Sequence, residues 1–283
     1  MEKSGIVKVL KGVIVMVLGV VVLYGTMGAS SARANDFALP LEMGTQDHIV
    51  GMGVGVLPDY EGSDDYTFGI APFLKYKFTG REQYISFVAT ELRVNVLNHP
   101  WLRLGPSLNY RFGRDDVEDD KVDDMKDIDD TLEAGGFIGV EFVNKDNPRK
   151  RFVANLDVLT DIGGEHDGTV ATLTARVWYP LAMMFDVTLG GALTYASENY
   201  METYFGVDKK DSLRSGLKEY EADGGLKDFR LNTSIVMHLS PHWHLAAGIQ
   251  YKRLVGDAED SPVVDDRGDA NQWLGGVGLA YSW

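Results

Sequence analysis

Six histidines, His48, His99, His166, His238, His242 and His244, are the side chains best suited to metal ligation or proton transfer. His242 and His244 share one face of a strand, and His238 sits across a short turn from them. Three imidazoles so placed could hold a metal, or could simply occupy a turn and a strand rim. A second candidate is the acidic run Asp115, Asp116, Glu118, Asp119, Asp120, Asp123, Asp124, Asp127, Asp129 and Asp130. It offers oxygens for calcium, but it lacks the EF-hand spacing and the glycine of the sharp turn. It reads as a solvated, self-repelling loop. Gly51, Gly53 and Gly55 alternate, which suits a closely packed strand better than a dinucleotide turn that opens a helix. Neither a G-x-S-x-G elbow nor a G-x-x-x-x-G-K phosphate loop is present. No carboxylate pair is fixed at a glycosidase separation. The expectation is a non-enzymatic chain with no catalytic residue, cofactor or metal.

Composition narrows the class. The 283 residues carry a formal net charge of −15, contain no cysteine and are 45% hydrophobic. So acidic a chain lacks the basic patch that a nucleic-acid binder needs. Without cysteine there are no disulfides, no cysteine nucleophile and no structural zinc of the usual kind. The apolar fraction is too high for a disordered acidic chain. Residues 1–34 read as a cleaved secretory signal: Lys3, Lys8 and Lys11, then an uncharged run from Gly12 to Tyr24, then Ala32-Arg33-Ala34. That run is short of the roughly 20 residues of a spanning helix, so a membrane anchor is the weaker alternative. Removing its four bases and one acid leaves residues 35–283 at −18.

The elements that follow alternate with period two. Trp273, Val277, Leu279, Tyr281 and Trp283 share one face, while Gly276, Gly278, Ala280 and Ser282 share the other. Similar segments recur near 48–57, 66–78, 84–97, 101–113, 132–143, 151–161, 169–180, 184–196, 228–239, 243–255 and 271–283, eleven in all. They are longer than most globular strands, and aromatics gather at their ends as interfacial girdles do. Connections alternate between short and long. These features predict an all-β fold, a closed antiparallel transmembrane β-barrel in contact with outer-membrane lipid. Bacterial barrels have even strand numbers. Twelve strands are expected, with residues 36–45 as a possible source of the twelfth, and ten as the alternative. Near Ala89 the alternation slips by one residue, which predicts a β-bulge.

Inward-facing ionic residues are Lys75, Lys77, Glu91, Arg93, Arg103, Arg111, Glu141, Asp157, Arg176 and Lys252. They either pair and fill the lumen or line a narrow anion channel. Three long connections, Arg114–Asp130, Glu198–Asp228 and Gly256–Asp269, hold −15 of the mature charge and are expected at the cell exterior. The tight turn Asn144–Arg151 is basic, with Lys145, Arg149, Lys150 and Arg151.

Finally, Pro58-Asp59-Tyr60-Glu61-Gly62-Ser63-Asp64-Asp65-Tyr66 after the glycine-alternating strand resembles the opening motif of the MipA/OmpV family. Leu104-Gly105-Pro106, Tyr110-Arg111, Gly113-Arg114, Tyr204-Phe205-Gly206-Val207, Ser215-Gly216-Leu217, Tyr220, Gly224-Gly225 and Asp260-Ser261-Pro262-Val263-Val264 continue the resemblance over the mature chain. The resemblance implies an outer-membrane barrel of a Gram-negative cell envelope, with a terminal strand read by the barrel-assembly machinery. Val277, Leu279, Tyr281 and Trp283 would form that signal, with Trp where the family usually has Phe. It further implies a scaffold joining a periplasmic lytic transglycosylase to a penicillin-binding peptidoglycan synthase. Lys145, Arg149, Lys150 and Arg151, together with Asp59, Tyr60 and Glu61, are the candidate partner contacts. A small porin and a surface adhesin with acidic external loops are the alternatives.

Overall fold

A strand in lipid has no water to satisfy its backbone, so each N–H and C=O must find a neighbouring strand. The computed structural model, which describes residues 46–283, meets this requirement by closure. Its strands are β1 (His48–Pro58), β2 (Tyr66–Lys77), β3 (Tyr84–Val88), β4 (Glu91–Asn95), β5 (Leu102–Arg111) and β6 (Thr131–Val143). They continue with β7 (Arg151–Asp161), β8 (Thr169–Ala182), β9 (Phe185–Ala196), β10 (Gly225–His238), β11 (Trp243–Leu254) and β12 (Asn271–Ser282). Each strand pairs with its sequence neighbours, and β1 pairs antiparallel with β12, so the barrel closes. The expected signal at residues 1–34 lies outside the described residues, as do residues 36–45.

The count of twelve has a different origin from the one expected. Residues 84–97 are two strands rather than one bulged strand. Ala89 and Thr90 form a two-residue hairpin turn between β3 and β4, with Val88 opposite Glu91. Ala89 has φ +53°, the left-handed conformation that tight hairpin turns demand. Such a turn pairs residue i with i+3, so the inward set changes from Ser86 and Val88 to Glu91 and Arg93. A bulge changes parity in the same way.

Alternation sets the two faces. Met52, Leu173, Leu231 and Val277 point outward and are about half exposed in the isolated chain. The inward face is mixed. On one side an apolar cluster of Ile49, Leu57, Ala71, Phe73, Val236, Ala246, Leu274 and Ala280 fills the lumen. Gly51 belongs to this packing: a Cβ there would lie 2.2 Å from the Phe73 ring and 2.5 Å from the Leu279 carbonyl oxygen. The remaining interior is polar.

The start of β1, the end of β12 and the turns at 78–83, 96–101, 144–150, 183–184 and 239–242 lie at one end. This is the periplasmic end, by the rule that periplasmic turns are short. The connections at 59–65, 112–130, 197–224 and 255–270 lie at the other. They carry helices α1 (Asp120–Asp123), α2 (Glu198–Phe205), α3 (Lys209–Ser215), α4 (Asp257–Asp260) and α5 (Pro262–Asp265). The acidic run 114–130 is not a loose, self-repelling loop. Val122 and Met125 pack with Tyr60, Val207, Leu217 and Val263 in a buried cluster. The acids serve as caps and hydrogen-bond acceptors: Asp119 caps α1, Asp123 accepts from the Val117 N–H, and Asp130 accepts from Tyr110 and Gly113.

Gly51→Val is expected to destabilise the barrel by about 1–3 kcal/mol through overpacking against Phe73. The measurement is the urea midpoint in detergent, followed by the shift between folded and heat-denatured bands on a gel.

Candidate functional site: a capped polar lumen and a clamped periplasmic rim

The inward carboxylates and cations are arranged in tiers. The uppermost tier ties the external connections to the wall. Arg111 on β5 donates to Glu133 on β6 at 2.8 Å, and Asn109 donates to the same carboxylate at 2.7 Å. His166 Nε2 stands 3.2 Å from Glu133 Oε1. Arg111 also donates to the Tyr200 hydroxyl at 3.1 Å and lies over its ring. The Tyr200 hydroxyl in turn donates to Glu61 at 3.0 Å. Lys227 and Lys252 both donate to Glu61 from the opposite wall. Tyr200 and Phe205 of α2 are fully buried, as are Glu133 and Asp228. This helix is therefore seated in the mouth of the barrel.

A second contact secures the cap from outside. Arg267 donates through Nε to Asp119 Oδ2 at 3.0 Å. Burial acts to raise the Asp119 carboxyl, but hydrogen bonds from Arg267 and from the Val122 and Lys121 backbone hold it below its usual range. Burial pushes the Tyr60 hydroxyl upward, so it stays protonated and donates to the Arg267 carbonyl.

Beneath the cap lies a polar chamber of about 170 Å³. Arg93 on β4 reaches into it, donating to Glu91 at 2.6 Å and meeting Asp157 on β7 at 3.1 Å. Arg176 lines the same chamber. A smaller space of about 80 Å³ shares Arg93, Val153 and Asn155 with it and extends past Lys75, Tyr84 and Glu141. Glu141 joins Arg103 and Arg151, each at 3.0 Å, near the periplasmic end. Thus Arg103, Glu141 and Arg151 form one group, Arg111 and Lys252 belong to the cap tier, and Arg176 stands between them.

At the periplasmic rim Arg149 is a clamp. It donates to Asp186 at 2.8 Å and to the carbonyls of Met183, Ala182 and Phe185 at 3.1, 2.9 and 3.1 Å. It thereby ties the turn at 144–150 to the turn at 183–184. Arg151 faces the lumen, buried against Trp178 at 4.1 Å. Lys145 is exposed, and Lys150 lies over the Tyr179 ring at 4.9 Å. Asp59, Tyr60 and Glu61 are at the opposite end, within the cap, and so cannot join the basic turn in one surface.

The histidines form a relay rather than a ligand set. His238 Nε2 is 2.8 Å from Asp186, His238 Nδ1 is 2.8 Å from His244 Nδ1, and His244 Nε2 is 2.9 Å from the Ser282 hydroxyl. His242 is engaged with the Ser282 carbonyl at 2.9 Å. Among the described residues no group of three or more His, Cys, Asp or Glu side chains is placed to hold a metal ion. Val277, Leu279, Tyr281 and Trp283 all face outward on β12 or just beyond it.

Twelve antiparallel strands closed on themselves, an apolar exterior and an ion-paired interior define an integral β-barrel protein of the bacterial outer membrane. Within that class, the chain belongs to the family described as MltA-interacting protein MipA, which matches residues 50–283. The MltA-interacting protein of Escherichia coli (strain K12) is 32% identical over 99 residues, 34% of this chain and 38% of that relative. The matched stretch is thus well under half the length of that relative. YiaT of the same organism, named as an outer membrane protein, is 23% identical over 254 residues, 87% of this chain and 96% of YiaT. Among solved structures, the NanC porin is 10% identical with a TM-score of 0.45, covering 83% of this chain and all of that one. An outer membrane channel from Pseudomonas putida F1 is 12% identical with a TM-score of 0.45, covering 88% and 99%.

The Asp119 contact carries a pH dependence. Its carboxyl is held below the unfolded value, so its contribution is complete above about pH 4 and is lost as pH falls through the folded value. Pepsin nicking of 114–130, measured against an unfolded substrate digested in parallel, is therefore expected to rise as pH falls below about 4. Asp119→Asn, which removes the charge that holds Arg267, is expected to open Lys121 and Lys126 to trypsin at neutral pH.

Proposed function

We propose that this barrel is a non-enzymatic, non-conducting scaffold whose periplasmic rim docks murein-remodelling enzymes, a lytic transglycosylase and a penicillin-binding synthase. The observation that carries this reading is the Arg149 clamp. Four hydrogen bonds from one guanidinium join two periplasmic turns into a fixed platform. Lys145 stands exposed on that platform, and Lys150 lies over the aromatic face of Tyr179. A preformed surface binds without the entropy of ordering loops, which is what a docking site requires. The family supports the same partner class, since the relative that gives it its name is an MltA-interacting protein. The buried cap over the lumen argues against the porin alternative, because α2 occupies the mouth through which a solute would pass.

In this reading Arg149 positions the platform, and Lys145 and Lys150 meet the partner. Replacing both lysines by Glu is expected to reduce co-purification with periplasmic murein enzymes at least tenfold while the gel shift of the folded barrel is unchanged. Undiminished retention would remove the contact site. In planar bilayers the purified protein is expected to give no stable conductance steps; regular steps would overturn the non-conducting scaffold.

A further inference from the structure

The file Asp186–His238–His244–Ser282 joins β9, β10, β11 and β12 at the periplasmic rim. Counting donors and acceptors fixes its protons. A carboxylate only accepts, so His238 carries a hydrogen on Nε2, 2.8 Å from Asp186. With both imidazoles neutral, His238 Nδ1 accepts from His244 Nδ1–H at 2.8 Å. His244 Nε2 then accepts from the Ser282 hydroxyl at 2.9 Å. Every contact is satisfied.

One added proton is accommodated without movement. It takes His244 Nε2, which then donates to Ser282, and the Ser282 hydrogen turns toward the Pro241 carbonyl at 3.5 Å. A single hydrogen still lies between the two Nδ1 atoms. A second added proton has no such place. Both Nδ1 atoms would carry hydrogen, and two donors would meet head-on across 2.8 Å.

The surroundings offer no compensation for that state. Two imidazolium rings would share one carboxylate, Asp186, with Arg149 on its other oxygen. His242 stands close by, 2.9 Å from the Ser282 carbonyl, and adds positive charge when protonated. Arg151, over Trp178, is paired with Glu141. The remaining inward neighbours are neutral: Trp178 on β8, Thr188 on β9, Ala280 opposite His244 on β12, and Ile49 opposite Ser282 on β1. His244 is 2% exposed and Ser282 1%, so a separated His244 Nδ1–H reaches water only if the rim opens. His238 is partly exposed and gives the proton its entry.

We propose that the file is an acid switch at the seam of the barrel. It carries one added proton intact and opens on the second, freeing the end of β12 from Asp186 and hence from the turns that Arg149 clamps. Acidification from about pH 7 to about pH 5 spans the range in which imidazoles titrate, and histidine pairs elsewhere flip interfaces there. The switch is independent of what docks at the rim.

The test is NMR of the full barrel in detergent with nitrogen-15 in its histidines and amides. A through-hydrogen-bond coupling between the two Nδ1 atoms is expected at about pH 7 and is expected to vanish by about pH 5. Over the same range, protection from hydrogen exchange, taken relative to an unfolded peptide at each pH, is expected to fall about tenfold or more at two amides. These are His238, which donates to the Met184 carbonyl, and Ser282, which donates to the His242 carbonyl. The Val96 amide, bonded to the Leu104 carbonyl on the far side of the rim, is expected to keep its protection. His238→Gln offers an amide that donates to Asp186 and accepts from His244, so protection at Ser282 is expected to stay level. His244→Gln serves if His238→Gln fails to give the folded gel band. No coupling at neutral pH, or a coupling that persists in acid, would overturn the switch. So would an acid response that survives the glutamine variant, or one that His242→Gln abolishes.

Discussion

Every feature of this molecule follows from one constraint: backbone groups in hydrocarbon must be hydrogen-bonded within the protein. Closure of β1 on β12 satisfies it and leaves no edge in the sheet order. Once the wall is closed, side-chain alternation has only two destinations. Most apolar residues go to lipid, and the charged and polar residues of the wall must go into a narrow lumen that they share with one apolar cluster. A barrel of this size has no room for many unpaired charges, so cations and carboxylates are arranged in contact within it, as with Arg93 and Asp157 or Arg103 and Glu141.

The same pressure shapes the external connections. They carry most of the net charge, yet they do not behave as repelling chains, because their acids have specific duties. Asp119 and Asp208 cap short helices, and Asp130 fixes the start of the 114–130 connection. Apolar residues between the acids then pack over the lumen. Glu61 is the centre of this arrangement, since it gathers Lys227, Lys252 and the Tyr200 hydroxyl from three parts of the chain. Removing one member of such a buried group leaves the others uncompensated, which typically costs about 3–5 kcal/mol. The cap is thus an ion-paired plug grown from the loops.

What the sequence made legible was local. Period-two alternation located the strands and the faces, because it is a property of consecutive residues. Glu141 was readable as inward, and Glu133 shares its parity eight residues earlier, so the same count would have found it. The β3–β4 hairpin was not separable from a bulge, because a two-residue turn and one extra residue shift parity identically. The cap was out of reach for another reason. Its decisive contacts join residues far apart, as Glu61 and Lys252 are 191 positions apart, and no periodicity marks them. The basic turn illustrates the limit of charge counting. Four bases, Lys145, Arg149, Lys150 and Arg151, lie close together in sequence, but Arg151 faces the lumen and Arg149 is held by the neighbouring turn.

The rim and the terminal strand are also mechanically connected. Asp186 accepts from Arg149 on one side and meets His238 on the other, and His238 passes the contact through His244 to Ser282 at the end of β12. The platform formed by the turns is therefore fastened to the strand that closes the barrel. The cap lies at the far end and the ion-paired lumen between them, so docking at the periplasmic face, as proposed, would draw on neither.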